Sequence, residues 1–579
     1  MDKRKNQKRN IFESLKKICC DPLFILILVT VVLTAYLLSV QMRIGVPYWD
    51  VYNYLNNALI FAGIGSETSN TIIYLSPMLP FLTSLFFRMG YVSINAIFIV
   101  SAVIFIIGVI GLYFLLKERF NAIGSLTGCL IFISFPVVFS WAVSGCTDIP
   151  GISFSIWTMF FLVAGLKKNY KYLYLVLPTF VMASLMRYTS GLTLLPILFY
   201  LLINKDHIRE IKNLKKIVLG VIIELGVLIT AVTVFFVRLK TATSVFSLFT
   251  SIASSSFTGT EDVAYNTNVF YYIQNLFNYI SVGPFQGYYQ QILNPSQGAP
   301  TLLSYFISLI VLFGIIFYIH RIFSAKNVKV AFKDGKILRT NKLIKLGLIL
   351  VLFILLLVSF YSQYFILSEI ILFAFLYVIY VILIKNNTGF EQKNLKLDFM
   401  FLSWFGAFLI FQSTLPLKVD RYFITMAPAL AYFIVLGLSE FIGKFKIQIQ
   451  KKKVKPGLIC LLVALIFLSC STATFIGHAP KKTFTVDIDH SCQWLKGYDP
   501  DYKDKIICSD YPNAVNWYLE KDIRAGFPRL YNNDDDKFED YLQQIGADYY
   551  IDSVSNSHPV IKGYRIIKTF GVVAIYKKI

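Results

Sequence analysis

Residues 1–40 read MDKRKNQKRNIFESLKKICCDPLFILILVTVVLTAYLLSV, a strongly basic head running into an uninterrupted apolar block from about Pro22 to Val40. At 1.5 Å per helical residue such a block is long enough to cross a bilayer's hydrocarbon core. It is too long, and too poorly followed by small residues, to be a cleaved signal peptide. Lipid offers the backbone no hydrogen bonds, so the block is read as a helix. Its basic flank starts it on the cytoplasmic side.

The same reading repeats along the chain. Further apolar blocks lie at about 94–116, 122–141, 150–166, 171–186, 190–203, 217–237, 301–319, 345–361, 364–384, 398–413, 422–442 and 456–476. The expectation is an all-α polytopic membrane protein of about thirteen spans. Composition agrees: of 579 residues, 56% are hydrophobic and 15% charged, where a soluble chain carries about a quarter charged residues. The net charge of +22 raises the question of nucleic acid, and its placement answers no. The N-terminus and the alternate loops assigned inside hold 34 of the 55 Lys and Arg. The outer segments before the tail hold Arg43, Arg88, Arg187, Arg238, Lys240, Lys418 and Arg421. That alternation is the mark of membrane orientation.

The expected domains are a cytoplasmic basic N-terminus (1–21), a transmembrane body (22–476) and an extracytoplasmic tail (477–579). Outer loops fall at 41–93 and 238–300. YLSPMLPFLTSLFF (74–87) in the first and FYYIQNLFNYI (270–280) in the second are apolar but short or amide-rich, and are read as helices lying at the outer interface. The tail alternates helical and strand-like patches (KIICSD, NAVNWYL, DYYID, GVVAIYKK), which predicts a small α/β domain. No CxxC pair is present. Cys492 and Cys508 stand in the tail, where a disulfide and two free thiols are both open readings. No internal repeat or low-complexity tract is evident.

Ionisable residues at membrane depth are costly and so are candidates for function. On the outer side these are Asp50, Glu67, Asp148, Glu261, Asp262, Glu369 and Asp420; Glu224 lies mid-span. Asp50 sits in GVPYWDVYNYL among Tyr48, Trp49 and Tyr52. It is either the N-cap of the following helix or a general base beside sugar-stacking rings. Asp148, in SGCTDIPGISF, reads equally as a helix start before Pro150 or as a second carboxylate that orients a hydroxyl or holds a metal. Arg187 in LMRYTSGL and Arg421 in PLKVDRYF defy the positive-inside pattern. Each either snorkels to headgroups, with Arg421 pairing its neighbour Asp420, or clamps a phosphate with its planar fork. Tyr188 and Lys418 are carried with them as substrate-binding candidates.

In order and content these features resemble the GT-C glycosyltransferases that use polyprenyl-phosphate sugars. The basic N-terminus, one span and a long outer loop with an aromatic-flanked acid match. So do the prolines of LSPMLPFL, the stretch CTDIPGISFSIWTMFFLVAGLKKNYKYL followed by LMRYTSGLTLLP, and DRYFITMAPALAYF. The outer C-terminal domain is similar to the aminoarabinose transferase and protein O-mannosyltransferase branch. The resemblance implies Asp50 as the first-loop catalytic acid and Asp148 as the second-loop acid. It implies Arg187 and Arg421 as partners of the lipid phosphate. The activity implied is inverting transfer of mannose or another hexose from a polyprenyl or dolichyl phosphate to a hydroxyl on an exported protein, lipid or polysaccharide. A divalent cation, Mg or Mn, is an open expectation, with Asp50 and Asp148 as its ligands if one is used. Two departures stand out: Val51, not a second acid, follows Asp50, and the WWDYG signature of oligosaccharyltransferases is absent, DYPNAVNWYL being no substitute.

The chemistry is consistent with that resemblance. A lipid-linked donor arrives laterally in the bilayer, so no Gly-rich phosphate loop is required and none is evident. Two rivals remain. A lipid or solute transporter needs a polar path at midplane, toward which Glu224 points, but paired halves with broken helices are not seen. A scaffold has no need for two outer carboxylates.

Overall fold

The computed structural model describes residues 21–48, 50–64, 75–209, 214–238, 268–282, 295–324, 337–384, 390–415, 417–445, 448–449, 452–453, 455–479, 481–528, 535–553 and 558–579. Every expected span falls on a helix. The first is Pro22–Ile44, then Asn95–Lys117, and later come Leu214–Arg238, Leu302–Ser324, Ile337–Tyr361, Phe365–Ile384, Phe390–Thr414, Ala427–Gly443 and Pro456–His478. Seven helices among the described residues are long and apolar enough to cross a membrane by length and composition, and shorter apolar helices accompany them. Apolar side chains such as Leu302, Phe306, Leu355 and Ile370 face outward, as hydrocarbon permits.

Four spans depart from single helices, among them 422–442, which opens on the 3-10 turn Asp420–Thr425 before Ala427–Gly443. The block 122–141 divides into Ala122–Ser134 and Pro136–Trp141. Pro136 forces Phe135 out of helical geometry to ψ 126°, because the proline ring clashes with a helical predecessor. The 171–186 and 190–203 blocks each open on a tight 3-10 stretch, Tyr170–Leu175 and Tyr188–Thr193, before Val176–Met186 and Leu194–Ile203. Between them Arg187 is extended, at φ −151° and ψ 117°. The 270–280 helix is likewise two short turns, Tyr271–Gln274 and Leu276–Ile280.

The chain forms two compact units: residues 1–34, 103–142 and 147–479, and residues 35–102, 143–146 and 480–579. In the first, helix association cannot rely on the hydrophobic effect, since lipid tails are as apolar as leucine, so close packing must serve. Leu302–Ser324 and Ala427–Gly443 cross where Gly314 faces Gly437, and a Cβ added at Gly314 would collide with the Gly437 carbonyl. At the end of the bundle opposite Asp148, Arg119 donates to Asp398 at 3.2 Å, and Tyr318 and Tyr432 donate to the same carboxylate. Asp398 had no sequence signature, because its cation lies on a distant loop.

In the second unit the tail builds a mixed sheet. With a short hairpin β1 (Gln448–Ile449) and β2 (Lys452–Lys453) earlier in the chain, its strands are β3 (Ile507–Ser509), β4 (Arg524–Ala525), β5 (Tyr549–Asp552), β6 (Tyr564–Phe570) and β7 (Val573–Lys578). Their order is β4-β3-β5-β7-β6; β3 runs parallel to β4 and β5, and β7 antiparallel to β5 and β6. Every residue of β5 is buried, which requires cover on both faces. Tyr550, Ala574 and Tyr576 pack with Phe538 and Leu542 of helix Asp535–Gln544, while helix Phe484–Tyr498 lies against β6 and β7. Cys492 and Cys508 are both buried free thiols, so the disulfide reading is set aside. Burial pushes the Cys508 thiol up to about 12.

The same unit holds the first outer loop. Helices Asp50–Ala62 and Met78–Arg88 pack together, and the tail helix Pro512–Leu519 packs on the former. The Tyr52 and Tyr518 hydroxyls meet at 3.0 Å, Asn56 donates to the Asn513 carbonyl at 3.2 Å, and Phe87 lies 5.9 Å from Trp517 between ring centroids.

Candidate active site

Asp148 opens helix Asp148–Lys167, where a carboxylate is favoured by the exposed N–H groups and the helix dipole. It is 1% exposed. A bare buried carboxylate is not tolerated in such a setting, and two guanidiniums answer it. Arg187 binds its Oδ1 through Nη1, and Arg421 approaches Oδ2 at 3.7 Å. The second distance is beyond hydrogen-bond range, and among the described residues Oδ2 accepts no hydrogen bond.

Both arginines are buried and their directions fixed. Arg187 donates from Nε to Thr189 Oγ1 at 2.8 Å and lies over the Tyr422 ring at 4.9 Å. Arg421 lies 5.4 Å from the Trp141 ring and 5.8 Å from Tyr422, in cation–π range. The extended backbone at Arg187 lets the 187–190 turn lie flat on the Asp148 helix, and Gly151 makes room for it. A Cβ at Gly151 would fall 2.8 Å from both Arg187 Cβ and Ser190 Oγ. Further along the same face Ser155 bonds Thr193 and Thr158 bonds Thr179, each at 3.1 Å.

The pairing of Arg421 with its neighbour Asp420 is not what forms. Asp420 instead accepts from Tyr271 and Tyr279 hydroxyls on Oδ1, at 2.8 and 2.6 Å. Its Oδ2 accepts from the Ser296 amide at 3.2 Å and the Ser296 hydroxyl at 2.7 Å. Each oxygen takes two donors, which fills the carboxylate's capacity. Burial and the Asp420 charge push both phenols upward, so they remain protonated donors. Asp420 therefore anchors the 3-10 turn Asp420–Thr425 from which Arg421 reaches Asp148. Nothing local in the sequence ties 271, 279 and 296 to 420.

The remaining candidates separate. Lys418 donates to the Ser413 carbonyl at 2.6 Å and to the Gln412 and Leu415 carbonyls, capping the C-terminal end of Phe390–Thr414. Burial pushes its ammonium down to about 8. Tyr188 begins the 3-10 turn after Arg187. Glu224 is half-buried between the exposed Ile223 and Leu225, on a helix most of whose described side chains face outward. In the other unit Asp50 is the first residue within its helix, one place inside the expected cap, and is half-buried. Tyr511 of the tail is near enough that its phenol is pushed upward by burial and by the charges of Tyr52 and Asp50. Tyr52 is wholly buried against Tyr511 and Tyr518, which makes it packing rather than a ring presented to sugar. Tyr48 accepts the Val51 amide on its carbonyl, a turn leading into the helix. Trp49, Glu67, Glu261 and Asp262 lie outside the described residues.

The donor set does not suit a divalent cation at Asp148, whose carboxylate already faces two guanidiniums that would repel one. Among the described residues no three His, Cys, Asp or Glu side chains converge as metal ligands.

Comparison with known proteins bears on the fold that carries this geometry. The dolichyl-phosphate-mannose-protein mannosyltransferase family matches residues 74–236, the segment holding Asp148 and Arg187. A comparison with curated proteins by sequence returns no match. Among solved structures, ArnT from Cupriavidus metallidurans in the apo state aligns with a TM-score of 0.56 at 11% identity, over 96% of this chain and 97% of that one. The same protein bound to undecaprenyl phosphate aligns with a TM-score of 0.55 at 11% identity, over 96% and 97% of the two chains. The likeness runs nearly end to end in both, spanning membrane helices and C-terminal domain alike. The chain thus has a GT-C-like fold, both in its membrane helices and in its small C-terminal sheet domain.

Proposed function

We propose that this chain transfers a hexose, mannose among the candidates, from a polyprenyl or dolichyl phosphate to a hydroxyl acceptor at the outer face of the cell membrane, with inversion. The observation that carries the reading is the convergence of two buried guanidiniums, Arg187 and Arg421, on Asp148. Asp148 neutralises one of them and holds both. A lipid phosphate complements the remaining positive charge, and the arginines stabilise that phosphate as it departs. Asp50 is the base that takes the acceptor's proton as its oxygen attacks the anomeric carbon. Attack opposite the leaving phosphate inverts that centre. Asp148 Oδ2, which accepts no hydrogen bond among the described residues, orients a hydroxyl rather than a metal.

The orientation belongs to the same proposal, with the N-terminus cytoplasmic and the sheet domain outside, as the basic loops favour. The acceptor is an exported protein, glycolipid or polysaccharide. The test is to incubate purified protein in lipid nanodiscs with labelled polyprenyl-phosphate hexoses and exported acceptors, following which label moves and in which anomeric form. Transfer with inversion supports the reading. Label that crosses the bilayer still attached to its lipid would instead identify a flippase.

A further inference from the structure

One end of the tail's sheet opens on a cleft for which the transfer chemistry has no use. The strand register sets its walls side by side: Ile507 of β3 pairs with Tyr549 of β5, and Tyr549 pairs with Lys577 of β7. Lys505 therefore lies just ahead of β3, Asp548 just ahead of β5, and Lys578 at the end of β7. The Lys578 amide donates to the Asp548 carbonyl at 3.0 Å, which keeps these ends together. Helix Phe484–Tyr498, packed on β6 and β7, stops at the same place, and Tyr498 and Asp499 complete the lining. The cleft holds about 480 Å³, enough for a small molecule or a short stretch of polymer.

What it offers a guest depends on which charges are already engaged. Asp548 Oδ2 accepts the Ile506 amide at 2.8 Å. Asp499 accepts the Tyr549 hydroxyl on Oδ2 at 2.7 Å and the Asp501 amide on Oδ1 at 3.1 Å. Burial, and then the bond to Asp499, pushes the Tyr549 phenol upward, so it stays a donor. The lysines are not engaged in this way. Among the described residues none of Lys505, Lys577 and Lys578 forms an ion pair, although two carboxylates line the same cleft. Lys577 lies instead over the Tyr498 and Tyr549 rings, at 5.2 and 5.9 Å, a contact that directs its charge without neutralising it. Ammoniums gathered round one cleft repel one another, and an anionic guest removes that cost.

Point-charge donors of this kind suit phosphate or carboxylate groups. The lone pairs left on Asp499 and Asp548 suit hydroxyls. A chain that carries both along its length is an acidic polysaccharide; an acidic peptide brings the charge with few hydroxyls. Resting on the glycosyl-transfer reading for its purpose, we propose that this cleft binds the anionic groups of a uronate- or phosphate-bearing polysaccharide and so holds the acceptor chain to the tail.

The experiment uses the full chain in nanodiscs of neutral lipid, so that headgroups do not compete for the lysines. Equilibrium binding is measured for oligogalacturonate, phosphorylated dextran oligomers, neutral maltohexaose and an oligoglutamate peptide. The expected result is that an acidic sugar binds at least about tenfold more tightly than maltohexaose, with affinity falling as salt rises. The combined Lys505→Gln, Lys577→Gln and Lys578→Gln variant should lose that preference, while arginine at the same three positions keeps it. Transfer to a small neutral hydroxyl acceptor stays at the wild-type rate in both. The inference is overturned if neither acidic sugar is preferred over maltohexaose, or if the glutamine variant keeps the preference. Oligoglutamate bound as tightly as the acidic sugars overturns it too, making the partner a peptide. The two readings fail separately: lysine-dependent binding with no sugar moved sinks the catalytic reading alone, and transfer without such binding sinks this inference alone.

Discussion

At the scale of residues, the account turns on charges that must be held because they are buried. Arg187→Ala or Arg421→Ala removes one guanidinium from the lipid phosphate and leaves Asp148 with a single partner. Each is expected to lower kcat/KM for the lipid-linked donor by about 100-fold, measured as initial rates over donor concentration. Arg421→Lys is expected to rescue little, since an ammonium cannot reproduce the planar fork. Lys418 gives a prediction in pH. Its ammonium is pushed down to about 8 by burial, below the ordinary 10.5. Between those values the unfolded chain binds a proton that the folded chain has released, so stability rises with pH across that window. The unfolding midpoint of the wild type in detergent should climb between pH 8 and 10 relative to Lys418→Met, and equal slopes would remove this assignment. Arg187 and Arg421 were legible because they break the charge alternation. The choice of Asp148 over Asp420 as partner was not, because Asp420 is taken up by tyrosines about 140 residues away along the chain.

At the scale of elements, apolar length and basic loops were enough to find the spans, since lipid admits little else. What they left out was how helices begin, break and touch. Pro136 predicts the break at Phe135 once the rule for residues before proline is applied. The close approach at Gly151 carries no signal, because a glycine in an apolar run reads as one more small residue. Gly151→Val is expected to cost about 1–3 kcal/mol by forcing Arg187 and Ser190 off the helix, read as a lowered unfolding midpoint together with lost transfer. At the other end, Asp398→Ala strands Arg119 in a buried site and should cost about 3–5 kcal/mol. Replacing both residues with apolar side chains should recover much of that loss, which a double-mutant cycle in unfolding midpoints will show.

At the scale of the whole molecule, orientation decides which candidates share a side. Alternating charge predicts that a cysteine introduced at Lys503 is labelled by an impermeant thiol reagent from outside intact cells, and one at Asn169 only after lysis; the reverse pattern would undo the topology. The tail's α/β character was legible from its alternating patches. Its packing on the first outer loop, through Tyr518 and Asn513 on the Asp50 helix and Trp517 on Phe87, was not, because those residues read equally well as the helix's own surface. The central claim is that a carboxylate at Asp50 and the arginines around Asp148 move a sugar off a lipid phosphate. Its most direct test is single-turnover transfer of labelled hexose from polyprenyl phosphate by the purified chain in nanodiscs, comparing wild type with Asp50→Asn and with Arg187→Ala. The account predicts transfer by the wild type, loss of the chemical step with donor binding retained in Asp50→Asn, and weakened donor binding with slowed transfer in Arg187→Ala. Transfer at the wild-type rate by Asp50→Asn, or no release of sugar from the lipid by any form, would contradict it.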